Sequence, residues 1–241
     1  MAFSLERYKA ATEGFSAPGK TNRFGIQLGG LGHLGYYAAR RAWGSLFQKR
    51  LADASDATNP LFAVPAALSD DHVSASRLFA NRHAMIASLD KNLVWAEVGT
   101  WEGAFARDIL ATCAPSELHL FDLDFARTVE KGYIRESDTV RFHKGASAEM
   151  LASFPDAYFD VIYIDGDHAL IGVCRDADVA LRKIKPNGAL IFNDYIAFSH
   201  LELFPYGTVP VVNSLCHDHG WGLAGFALHP KMYCDVMLRR R

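Results

Sequence analysis

Cysteine is scarce and scattered. Cys113, Cys174, Cys216 and Cys234 are the four in 241 residues, and none stands in a CxxC pair. That spacing indicates neither a zinc site nor a disulfide framework, and free thiols fit a reducing, cytoplasmic setting. No apolar run reaches the ~18 residues that a membrane span needs. The start Met1-Ala2-Phe3-Ser4-Leu5-Glu6-Arg7 lacks a basic end followed by an apolar stretch, so no signal peptide is read there. An excess of one charge is missing too. With 25 Lys and Arg against 27 Asp and Glu, the net charge of −2 leaves no electrostatic footprint for nucleic acid. What remains is an apolar chain, 50% hydrophobic and 22% charged, large enough to bury a core without cross-links.

Two parts are read along the chain, residues 1–90 and 91–241. The first is less regular and carries two helical candidates, 36–51 and 71–89. The second of these begins at Asp71 and spaces Val73, Leu78, Phe79, Met85, Ile86 and Leu89 as an amphipathic helix would. Asn59-Pro60 and Val64-Pro65 break the chain between them. From residue 93 short apolar runs alternate with helical stretches. Strands are predicted at 93–98, 118–121, 139–143, 161–164 and 189–192, with helices at 104–113 and through 174–184. Continuous apolar strands separated by helices imply an α/β fold, with a mostly parallel, doubly wound sheet of Rossmann-like kind covered on both faces. Residues 221–229 and 232–238, joined by Pro230-Lys231, read as a C-terminal antiparallel hairpin.

Two glycine motifs near the N-terminus stand in poor context. Gly14-Phe15-Ser16-Ala17-Pro18-Gly19-Lys20-Thr21 matches the phosphate-loop letters, but that motif works only between a buried strand and a helix. The residues before it look polar and helical. Gly30-Leu31-Gly32-His33-Leu34-Gly35 matches GxGxxG, but no second strand ending in an acid follows at the right distance. A nucleotide- or dinucleotide-binding protein using these glycines is the alternative they leave open.

The chemistry gathers further on. Glu97 ends the first predicted strand of the second part, and Gly99-Thr100-Trp101-Glu102-Gly103 follows, opening a helix. Glycine permits the sharp turn, and at Gly99 and Gly103 it lets a ligand approach the backbone. The Glu97 carboxylate suits an ammonium group, although an ordinary strand-to-helix turn fits this stretch equally well. About 20 residues on, the next strand ends in Asp122, where a carboxylate can accept both hydroxyls of a ribose, with Asp124 in reserve. Lys144-Gly145-Ala146-Ser147-Ala148 is a small-residue loop that can lie along a flat ring. Asp165-Gly166-Asp167-His168 and Asn193-Asp194 follow two strands that should be sheet neighbours. Asp165, Asn193 and Asp194 offer hard oxygen ligands to Mg²⁺ or a similar cation, or simply cap strand ends and bind substrate. His168 can take a proton near neutral pH, or serve as a hydrogen-bonded structural residue.

On these residues the chain, from about residue 93 onward, resembles a class I S-adenosylmethionine-dependent methyltransferase. Glu97-x-Gly99-x-x-x-Gly103 is similar to that superfamily's first motif, and Asp122 to its ribose-binding acid. Phe159-Asp160-Val161-Ile162-Tyr163-Ile164-Asp165-Gly166-Asp167-His168, with Lys185-Pro186-Asn187-Gly188 and Asn193-Asp194-Tyr195, resembles bacterial small-molecule methyltransferases of the macrocin O-methyltransferase kind. Gly145-Ala146-Ser147 resembles the adenine-side loop of catechol-type O-methyltransferases. The resemblance implies S-adenosylmethionine as cofactor, with Glu97, Gly99, Thr100, Gly103, Asp122, Ser147 and Asp165 binding it. It implies a divalent cation on Asp165, Asn193 and Asp194, with Asp165 and His168 catalytic and His168 at the position of a basic lysine. The pair Asn193-Asp194 departs from the family's order, which puts metal use in doubt.

The expected reaction is methylation of a small-molecule hydroxyl. Transfer to nitrogen, to carbon or to a protein side chain remains the alternative. In this superfamily an N-terminal segment often caps the substrate pocket, the role expected for residues 1–90, and a helical arm there is compatible with a homodimer.

Overall fold

The computed structural model describes residues 66–202 and 204–241, which belong to one unit of the chain, residues 57–241. Both N-terminal glycine motifs, the predicted helix 36–51 and the breaks at Asn59-Pro60 and Val64-Pro65 lie outside the described residues. In chain order come α1 (Asp70–Val73), β1 (Arg77–Phe79), α2 (Arg82–Ile86), β2 (Val94–Val98), α3 (Ala104–Cys113) and β3 (Glu117–Asp122). Then follow α4 (Ala126–Lys131), β4 (Val140–Lys144), α5 (Ser147–Ala152), β5 (Phe159–Ile164), α6 (Leu170–Lys183) and β6 (Ile184–Phe192). The last are β7 (Phe198–Ser199), β8 (Phe204–Pro205), α7 (Thr208–Asp218), β9 (Trp221–Ala227) and β10 (Asp235–Arg240).

Eight strands form one sheet in the order β1-β9-β10-β6-β5-β2-β3-β4. β2, β3, β4, β5 and β6 pair in parallel, while β10 runs antiparallel to both β6 and β9. The predicted hairpin is therefore present, with β10 slotted between β6 and β9. Alternation along the central strands sends residues to two cores. Ala96, Val98, Phe121, Ile162, Ile164, Leu190 and Phe192 pack on one face. Trp95, Leu118, Leu120, Val161, Tyr163, Ala189 and Ile191 pack on the other. Neither face of these strands meets water, which is why they read as unbroken apolar runs. Helix α6 supplies part of one cover, burying Val173, Ala177 and Ala180 at helical spacing, and Arg182 and Lys183 in its last turn complement its dipole.

The single helix expected over 71–89 is not formed. Helix α1 ends at Val73, β1 pairs with β9 through Arg77–Gly225, Leu78–Phe226 and Phe79–Ala227, and a new helix starts at α2. The Asn81 side chain caps that start by accepting from the Ala84 amide at 2.9 Å. Leu78 is 65% exposed, so the periodic apolar residues never shared one buried face. Sheet pairing overrode the helical spacing. Helix α7, absent from the sequence reading, covers the same core as α6 with Val211, Val212, Leu215 and Cys216. Among the described residues no helix is long and apolar enough to cross a membrane.

Candidate active site at the strand tips

Backbone hydrogen bonds carry the parallel ladder past the strand ends. Gly99 N donates to Phe121 O at 2.8 Å, Asp165 N to Val98 O at 2.8 Å, Asn193 N to Ile164 O at 3.0 Å and Gly145 N to Asp122 O at 2.9 Å. The tips of β2 to β6 are thus bound into one rim, where open α/β sheets place their ligands.

Two glycines shape that rim, both with the positive φ that the expected sharp turn needs. Gly99 has φ +87°, and a Cβ there would stand 2.0 Å from the Asp165 carbonyl oxygen. Gly103 has φ +78°, and its Cβ would meet Ile134 and Thr128 side chains at 2.7 and 2.9 Å. The space a side chain would need is filled by protein. These glycines are required so that β5 and the α4 region can approach the turn, and no ligand contact is needed to explain them.

Glu97 is 1% exposed, and its Oε2 has no hydrogen-bond partner. Burial, and then the charge of Asp165, hold its carboxyl well above the usual carboxylate range. Thr100, 5% exposed, also carries an unpartnered hydroxyl. A buried acid without a partner is costly, and an incoming cation would supply the missing one. Asp122 lies one strand over. Its carboxylate accepts from the Trp101 amide at 2.7 Å and the Asp124 amide at 3.2 Å. These bonds fix its direction while leaving acceptor capacity on both oxygens. Asp124 is otherwise engaged, with Lys144 and with the Ala126 amide. Ser147 does not face open space: its hydroxyl donates to Asp176 at 2.6 Å and ties α5 to α6.

The tips of β5 and β6 meet as expected. His168 Nε2 lies 3.7 Å from Asp165 Oδ1 and 3.8 Å from Asp194 Oδ2, and it is buried without a hydrogen-bond partner. The Tyr206 ring stacks on His168 with centroids 4.5 Å apart. Desolvation lowers the His168 pKa, so the ring is held neutral and ready to accept a proton. Asp194 takes the left-handed backbone at φ +56°, and burial followed by the charge of Asp235 raises its pKa to about 7.

Of the expected metal ligands, Asp165 and Asp194 both lie near His168 Nε2. Among the described residues no three His, Cys, Asp or Glu side chains are gathered as a metal-holding group. Asn193 is turned into a different network, its amide donating to Tyr163 Oη and Asp235 Oδ1, each at 3.2 Å.

Sequence reasoning missed that network. Asp235, 3% exposed, also accepts from Tyr163 Oη at 2.7 Å, and the Arg82 guanidinium lies 3.4 Å from the same phenol and 4.0 Å over the Phe105 ring. Beside it opens a cavity of about 480 Å³, bordered by Arg82, Asp194, Glu202, Tyr206, Lys231 and Asp235 among others. Asp235 joins the site only because β10 inserts beside β6, which no local signal announces.

Residues 96–195 match the family model described as a methyltransferase domain. Three solved structures share the fold at a TM-score of 0.50. The pyocyanin biosynthetic protein PhzM is 15% identical over 67% of this chain and 55% of its own. An O-methyltransferase family protein from Burkholderia thailandensis is 14% identical over 66% and 55%. Ribosomal protein L11 methylase from Lactobacillus delbrueckii subsp. bulgaricus is 16% identical over 66% and 78%. The chain spans about half the length of the first two. No protein with a curated description matches it. Residues 96–195 are thus similar to a methyltransferase domain, and the chain shares its fold with solved methyltransferases.

Proposed function

We propose that this protein methylates a hydroxyl group of a small molecule, with His168 as the general base. The observation that carries the reading is the His168 imidazole: half-buried, unpartnered at a buried Nε2, flanked by Asp165 and Asp194, and stacked on Tyr206, which borders a cavity of about 480 Å³. S-adenosylmethionine, when bound, supplies an already activated methyl group. Glu97 would hold its ammonium and Asp122 its ribose hydroxyls, since one is a buried carboxyl lacking a partner and the other a carboxylate aimed by two amides.

The remaining work falls to this chain's own residues. An acceptor hydroxyl must lose its proton as the new bond forms, and His168 Nε2 takes it. The imidazolium so formed gains the two flanking carboxylates, which stabilise the charge where it develops. Tyr206 fixes the ring plane by stacking, and the Gly207 amide holds the His168 carbonyl at 2.8 Å. Asn81, Arg82 and His83 border the cavity. Their place there supports a substrate-facing role for at least this end of residues 1–90.

The test is His168→Ala, assayed with a hydroxylated acceptor that the wild-type protein methylates. Turnover is expected to fall by about 10²- to 10⁴-fold, while S-adenosylhomocysteine affinity stays within twofold. A parallel loss of both, or full turnover in the variant, contradicts the base assignment.

A further inference from the structure

The cavity is lined by charges of both signs. Arg82, His229 and Lys231 border it, His229 and Lys231 from the loop that follows β9. Arg82 is half-buried, yet its one direct side-chain hydrogen bond is a long one, 3.4 Å to Tyr163 Oη. Among the described residues no carboxylate lies within 4.0 Å of Arg82 or Lys231, whereas His83 is already taken by Asp108 at 2.9 Å. A guanidinium drawn out of bulk water normally meets a planar anion with its paired N–H groups. Arg82 has instead the face of Phe105 beneath it and unused donors toward the cavity. His229 reports the same field. Its pKa is lowered by burial, then by Arg82 and by Lys231.

The carboxyls that border it are engaged. Glu202 accepts from Tyr206 Oη at 2.7 Å, and Asp194 lies 3.8 Å from His168 Nε2. Both act on Tyr206, whose pKa is raised first by burial. Tyr163 and Asn193 already donate to Asp235. Asp194 and Asp235 feel Arg82 through space without pairing with it.

We infer that the acceptor carries an oxyanion group, a carboxylate or a phosphate, that docks on Arg82 and Lys231 while its hydroxyl is turned toward His168, the neighbour of cavity-lining Asp194 and Tyr206. This rests on the methyltransferase reading and narrows it to hydroxylated anions. A group anchored there would be turned by that anchor toward the base, so Arg82 sets specificity and takes no part in proton transfer.

The experiment is calorimetric titration of the full chain, loaded with S-adenosylhomocysteine, using 4-hydroxybenzoate, neutral 4-hydroxybenzyl alcohol and cationic 4-hydroxybenzylamine. The acid is expected to bind at least about tenfold more tightly than the alcohol, with the amine weakest, as one desolvated charge-assisted contact implies. Arg82→Gln should abolish that preference. Lys231→Gln, an exposed substitution outside the cofactor site, should reduce the preference while S-adenosylhomocysteine affinity stays within twofold. Equal binding of acid and alcohol, no binding of any of the three, tightest binding of the amine, or a preference that persists in both variants overturns the inference. Failure of the wild-type protein to bind S-adenosylhomocysteine would strike at the methyltransferase reading instead. Inorganic phosphate competing with 4-hydroxybenzoate would identify phosphate as an accepted anion. A lack of competition would restrict the class to carboxylates.

Discussion

Replacing Glu97 by Gln separates binding from folding. The substitution keeps the shape of the side chain and removes its charge. In the free protein an ionised carboxyl is disfavoured there: it is 1% exposed, Oε2 has no partner, and burial followed by the charge of Asp165 raises its pKa. The neutral amide carries no such penalty, so the melting temperature of the free variant is expected to stay the same or rise. With S-adenosylhomocysteine the effect reverses. A hydrogen bond between charged groups contributes about 1.5–3 kcal/mol, so its loss should weaken the dissociation constant by about 10- to 150-fold. The sign with pH follows from the raised carboxyl. A bound ammonium favours the ionised acid, so binding should release up to about one proton and tighten as pH rises toward the raised pKa. Calorimetry in buffers of different ionisation enthalpy measures that release, and Glu97→Gln should lose it. If the variant instead melts lower and binds as well as wild type, Glu97 is a structural residue and the ligand assignment is wrong.

Asp122→Ala should weaken S-adenosylhomocysteine by about 10- to 100-fold through lost ribose bonds and leave His168-dependent proton transfer in place, visible as an unchanged pH profile of turnover at saturating cofactor. Unaltered affinity would remove the ribose role. A separate prediction concerns stability. Burial, followed by the charge of His119, lowers the His143 pKa to about 4 in the folded chain, so the unfolded chain binds more protons between that value and 6.5. Stability is full above 6.5 and is lost as pH falls toward 4, by at most about 3 kcal/mol, and by less where solvent reaches the half-buried ring. Denaturant titrations at pH 7 and pH 4.5 should differ in wild type more than in His143→Phe. An equal difference in both would mean that His143 does not carry the effect.

Much of the architecture was legible because the central strands are covered on both sides. Residues 94–98, 117–122, 159–164 and 189–192 are mostly apolar and largely buried, and helix α3 is present over the residues that were predicted. The acids at their ends were readable for the same reason, since a carboxylate closing an apolar run has few structural uses. Glu97 with Asp122, and Asp165 with Asp194, do stand at adjoining tips. Local pattern failed where distant partners decide. Residues 77–79 become a strand only because β9 offers them an edge, and Ser147 turns inward only because Asp176 on α6 meets it. The glycines were legible from the sharp turn, and their missing side chains also make room for Asp165, Thr128 and Ile134, which no local signal announces. Arg82 and Asp235 could not have been found. They lie 153 positions apart in sequence, and only the inserted strand β10 brings them to one cavity.

A crystal structure of the protein with S-adenosylhomocysteine probes the account at its root. The ribose should sit on the Asp122 carboxylate, the amino group should reach Glu97 Oε2, and the sulfur should face His168 and the cavity bordered by its neighbours Asp194 and Tyr206. Finding the nucleoside at another edge of the sheet, or the sulfur turned away from His168, would contradict it.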